Sequence, residues 1–215
     1  MDEQRRLIGV DGARGGWVAA IDDGDALALR FVERLGDLPV AAVVAIDIPL
    51  GFPTGSARRP AESAARRRLG PRRSSVFSTP PRAVLECGSY DDARTAALRE
   101  TGRSISKQAW NLRPKVLEAA AADRTLHEVH PELAFAVMCG GPMPNPKRTS
   151  AGRLERVEAL SGVGLGPDRI AGWDDVPRED AVDALACLWV ARRVWAGTAE
   201  ALGTSFGPDD GPIHV

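Results

Sequence analysis

The run AAVVAIDIPLGFP, residues 41–53, limits the choice of fold more than any other stretch. It opens as an unbroken apolar segment with no polar alternation, so as a strand it must be buried on both faces. Such a strand belongs at the centre of a sheet and requires covering layers on both sides. The segments before it read differently. Residues 7–11 and 17–22 are strands joined by a turn with three glycines, and Asp22-Asp23-Gly24-Asp25 is a second turn. Residues 27–33 alternate, with Leu27, Leu29 and Phe31 on one face. Together these three predict an antiparallel meander leading into the buried strand.

Past the proline-bounded loop 49–53 the character changes. Residues 54–82 are rich in Arg, Ser and Pro, which predicts a basic loop with a short helix over 61–69. From 58 to 82 there are eight arginines (58, 59, 66, 67, 68, 72, 73 and 82) against one acid, Glu62. Helices are predicted over 91–100 and 104–122, and 126–135 starts as a short strand and turns helical after Pro131. The three prolines of 140–152 predict an exposed loop, 153–160 a short helix, and 177–195 a strong closing helix with proline in its first turn. The tail after Gly203 is turn-rich and reads as frayed. The expectation is an α/β domain spanning 1–215, built on a mixed five-stranded sheet whose first three strands are antiparallel. Residues 54–125 form a basic helical excursion within it.

Composition narrows the context. With 28 basic and 29 acidic residues the net charge is −1, so the whole-chain balance selects no partner; the local arginine cluster is the informative part. Cys87, Cys139 and Cys187 are odd in number and about fifty residues apart, which supports neither a disulfide framework nor a metal knuckle. The chain opens MDEQRR and contains no long apolar stretch, so neither a signal peptide nor a membrane span is expected and the protein reads as cytoplasmic.

The chemistry lies in the acids. Asp11 and Asp47 both end apolar strands, where open α/β sheets place their ligands. Glu128 lies in the short strand before Pro131, with Glu132 competing for the same role. Asp180 and Asp183, three apart on the closing helix, share a face. Each has a purely structural alternative. Asp11 before Gly12 is an ordinary turn residue, and Asp180 and Asp183 could answer the helix dipole. Counted from Pro177 as the first helical residue, however, they are fourth and seventh, too deep for capping. Asp47 between Ile46 and Ile48 is harder to explain structurally, since aspartate is disfavoured inside strands. Brought together, these carboxylates make an all-oxygen site suited to magnesium or manganese. Two such ions about 4 Å apart are the machinery for in-line attack on a phosphodiester.

This combination resembles the ribonuclease H-like fold, and the paired acids of the last helix are similar to those of Holliday-junction resolvases. More narrowly, GVDGARGGW (9–17), AIDIPLGFP (45–53), RRSSVFSTPPR (72–82), HEVHPELAF (127–135) and DDVPREDAVDALACLW (174–189) resemble domain-of-unknown-function family 429, labelled a predicted ribonuclease H-like nuclease. The resemblance covers nearly the whole chain. It implies Asp11, Asp47 and Asp183 as core metal ligands, with Asp180 and either Glu128 or Glu132 completing the site. The stretch from Gln108 to Lys115 resembles a further family motif, and Lys115 would approach a phosphate or simply be a surface helix lysine. The arginine segment, with Arg66, Arg67, Arg72 and Arg73, would supply electrostatics for nucleic acid, although a charge run is as often a solvated face.

Other classes fit less well. His127 and His130 in HEVH lack the four-residue spacing of a helical zinc pair, and no phosphate-binding P-loop occurs. A sugar-kinase or actin-like phosphotransferase shares the fold but needs a second domain and phosphate loop, for which 160–172 is a poor substitute. A non-catalytic nucleic-acid-binding module is the alternative from a different class. The expected activity is phosphodiester hydrolysis by a two-metal mechanism, with nucleic acid as partner; relatives of the resolvase type make a homodimer compatible.

Overall fold

The computed structural model describes residues 5–54, 57–203 and 211–215. Strands β1 (Leu7–Ala13), β2 (Gly16–Asp22) and β3 (Leu27–Val32) form the antiparallel meander. β4 (Val43–Ile46) then lies parallel to β1, with Leu7 opposite Val43 and Val10 opposite Ile46. β5 (His127–Glu128) adds parallel to β4. The order β3-β2-β1-β4-β5 is a mixed five-stranded sheet, and with helices on both faces it has the ribonuclease H-like α/β architecture.

The pleat of β1 divides the core. Ile8 and Val10 point to one face and pack with Trp17, Ile46 and the apolar sides of α3 (Tyr90–Thr101) and α4 (Lys107–Ala120). Val84 and Leu85 of the short α2 (Arg82–Leu85) complete that layer. The helical part of the 54–125 segment therefore covers a whole sheet face. Its apolar residues come at helical spacing and match the buried β4, which needs a second layer. Leu7 and Ala13 point the other way, toward Ala184, Leu185 and Leu188 of α7 (Arg178–Trp195).

One residue dictates how closely α7 approaches. A Cβ built on Gly9 would lie 2.0 Å from the backbone nitrogen of Leu188 and 2.2 Å from the carbonyl oxygen of Ala184. The helix backbone rests on the strand at a glycine, and that contact sets which residues of α7 sit over the end of β1.

A third cluster joins α1 (Pro60–Leu69), α5 (Pro131–Met138) and the chain end. One expectation is corrected here. Part of the tail is not frayed: β7 (Ile213–His214) pairs with β6 (Ala201–Leu202), and Val215 is fully buried and bonds Glu200. Residues 204–210 lie outside the described residues. The 140–152 loop, before α6 (Ser150–Gly162), is mostly exposed as expected, and two of its residues anchor it. Met143 is buried, and Gly152 packs so tightly on Pro146 that a Cβ there would meet its carbonyl at 2.0 Å. Among the described residues no helix is long and apolar enough to cross a membrane, and all three cysteines are free.

Candidate active site

Four acids gather at the C-terminal ends of β1 and β4. Asp11 follows Val10 on the α7 side of β1, two residues beyond Gly9, and is buried. Asp47 continues β4 past its last paired residue, its amide donating to the Val10 carbonyl at 2.9 Å, so the two strand ends are tied together. Asp183 lies next to Ala184, whose carbonyl crosses Gly9, so the tight helix–strand contact carries its carboxylate to the same end. Asp180 lies one turn nearer the helix start. Pro177 is the N-cap rather than the first helical residue, which puts Asp180 in the first turn and Asp183 beyond it. All four line one groove of about 750 Å³, with Lys115, His130 and Lys147 on its walls.

The electrostatics record this convergence. Burial, then the charges of Asp183, Asp47 and Asp180, holds the Asp11 carboxyl well above its ordinary range, with the Gly12 amide pulling slightly the other way. Burial and Asp183 push Asp47 up to about 7 against the opposing pull of Lys147. Asp180 is raised by burial and by Asp183. The field extends into the core: the fully buried Cys187 thiol, one turn further along α7, is raised well above its usual value by burial and then by Asp47, Asp11 and Asp183. Carboxylates so placed and so shifted are typical of functional sites.

Lys147 carries no mark in the sequence, yet it enters this cluster from the 140–152 loop. Its ammonium donates to Asp183 Oδ2 at 2.9 Å. Burial alone would lower its pKa, but Asp183, Asp47 and Asp11 outweigh that and hold it above the ordinary lysine range. A lysine in a proline-flanked loop has no periodic signal, so only the fold reveals it. His130 forms another wall. Its Nε2 lies 3.1 Å from the Ser75 carbonyl, which only accepts, so Nε2 carries the hydrogen and Nδ1 is the acceptor. That Nδ1 is buried without a partner among the described residues.

Two expected ligands are not available. Both oxygens of Glu128 are held by the buried Arg59 at 2.9 and 2.7 Å, one also accepting from the Leu50 amide at 2.8 Å, and the residue does not line the groove. Glu132 lines the groove, but both its oxygens lie 2.7 Å from Nη2 of the buried Arg156. Each carboxylate is buried and paired, which makes it a structural ion pair. The arginine segment is largely structural as well. Arg66 donates to the carbonyls of Val76 and Phe77, and Arg68 pairs with Glu200. Arg72 lines the groove while holding the carbonyls of Met143 and Pro144. The side chains of Arg67 and Arg73 are exposed and make no hydrogen bond or ion pair among the described residues.

Lys115 is half in the site. It donates to the Gly16 carbonyl and sits 4.1 Å over the Trp17 ring, with its stem against Gly12. Burial lowers its pKa, opposed by Glu118, Asp11 and Asp180.

As donors, Asp11, Asp47, Asp180 and Asp183 fit a hard divalent cation: they offer only oxygen, and their mutual repulsion calls for positive charge. As the side chains stand, no group of three His, Cys, Asp or Glu among the described residues is arranged to hold a metal ion, and the cation contacting Asp183 is Lys147.

No match emerges from comparison with curated proteins or with solved structures. The model described as "Protein of unknown function (DUF429)" does match, over residues 9–206, and the chain belongs to that family.

Proposed function

We propose that this protein is a magnesium- or manganese-dependent hydrolase of phosphodiester bonds in nucleic acid. The observation that carries the reading is the convergence of Asp11, Asp47, Asp180 and Asp183 from two strand ends and one helix into a single groove, where the carboxyls of Asp11, Asp47 and Asp180 are raised. Asp11, Asp47 and Asp183 would hold the ions, with Asp180 beside them. When bound, two such ions activate water and steady the leaving oxygen.

The chain's own groups supply the rest. The groove walls carry Lys115, Lys147, Arg72 and Arg148, which attract and orient a phosphate backbone. Lys147 pairs with Asp183, and a cation held there would free its ammonium for a substrate phosphate. His130 presents a neutral acceptor nitrogen beside the groove, its tautomer set by Ser75.

The test is cleavage of single- and double-stranded DNA and RNA with magnesium or manganese, by wild type and Asp47→Asn. The expected result is cleavage by wild type that chelator and the substitution both abolish. A fully active Asp47→Asn protein overturns the assignment. Lys147 on Asp183 favours one second reading, a nucleic-acid-binding module that needs no metal ion. In that case binding is equal with and without chelator, and no cleavage occurs.

A further inference from the structure

A second recess of about 430 Å³ opens beside the carboxylate groove and joins it at Lys147, Glu179 and Asp183. Its character is different. Leu154, Val157, Trp173 and Val182 give it an apolar lining, and Leu154 is 58% exposed although large and apolar. An exposed leucine beside a half-buried tryptophan, in a concavity contiguous with a charged site, is the surface a ligand's apolar part would cover.

The rim carries charges of both signs, and its cations are paired with acids. Arg153 pairs with Glu179 at 3.2 Å and Arg178 with Asp174 at 3.3 Å, both at the surface, and Lys147 stands at the junction with the groove. The wall adds a specific polar feature. Arg156 is buried, its Nη atoms are engaged by Glu132, Asn145 and Gly152, and its Nε–H has no acceptor among the described residues.

Resting on the phosphodiesterase reading, we infer that this recess takes one unstacked nucleobase of the substrate, next to the phosphate that lies over Asp183. A flat heteroaromatic ring meets each requirement. Its faces suit the apolar lining, and the attached phosphate falls to Arg153 and to Lys147 at the junction with the carboxylate groove. A base in a duplex cannot enter without leaving the stack. The preferred substrate is therefore single-stranded, or carries an unpaired nucleotide.

The test is equilibrium binding in chelator, where no metal-dependent cleavage occurs, of a fluorescein-labelled ten-nucleotide single strand and the same strand in a duplex. Wild type should bind the single strand about tenfold more tightly than the duplex, the scale of one base stacked on the protein. Leu154→Glu, at an exposed position, should remove that preference while leaving the thermal midpoint unchanged. Equal affinity for strand and duplex overturns the inference, as does a preference that survives Leu154→Glu. Asp47→Asn separates this outcome from failure of the catalytic reading. If it retains strand preference and also retains full cleavage, the base recess stands and the metal-dependent chemistry falls.

Discussion

Asp47→Asn should stabilise the fold, and the size of the effect should depend on pH. In the folded protein the Asp47 carboxyl titrates at about 7 against an ordinary 3.8, because it is buried and faces Asp183, with the pull of Lys147 already included. A raised folded-state pKa means the native state binds the proton more tightly than the unfolded chain does. Stability from this group is complete below pH 3.8 and is lost as pH rises toward 7. The rise of about 3 units, at about 1.36 kcal/mol per unit, amounts to about 4 kcal/mol of lost stability above neutrality. Asparagine has nearly the same shape and carries no charge to lose. Urea unfolding in chelator at pH 5 and pH 8 measures the difference. The advantage of Asp47→Asn over wild type should widen by about 3 kcal/mol between those pH values. An advantage that is the same at both, or a variant less stable at pH 8, would refute the claim that the acids repel one another there. Added magnesium at pH 8 should raise the stability of wild type more than that of the variant.

The other predictions concern the groups that build and balance the site. Gly9→Ala puts a methyl into the backbone of α7, and overpacking against main chain should cost about 3 kcal/mol or more in chemical unfolding; a neutral result would mean α7 is not seated as described. Arg59→Met leaves Glu128 buried and unpaired and should cost about 3–5 kcal/mol, with part of the loss restored by adding Glu128→Gln. Lys147→Met removes the cation now on Asp183, so calorimetry should find tighter manganese binding than in wild type; unchanged affinity would show that the lysine does not compete for the site. Asp11→Asn with Asp183→Asn should abolish manganese binding by the same measurement, and persistent binding would move the metal elsewhere.

The layer order is legible in the amino-acid sequence because it follows from local pattern. An unbroken apolar β4, an alternating meander and a long apolar last helix need only the periodicity of buried faces to be read. Asp11 and Asp47 stand out for the same reason, as charges where a buried strand tolerates few. Pairing is not legible. In sequence Glu128 and Glu132 compete as the acid that completes the site, and nothing local marks Arg59, 69 residues away, or Arg156 as the partners that withdraw them. Lys147 and the base-sized recess are hidden likewise. Both arise where the 140–152 loop, α6 and α7 meet, and such neighbours are far apart along the chain. Residue order alone is enough to say which segments are buried and where charge interrupts them, because burial is a property of a few consecutive residues. Which charges neutralise each other, and which remain unbalanced in the groove, follows from the folded arrangement and from nothing simpler. Coulomb energy depends on distance in space and on the water excluded between the groups.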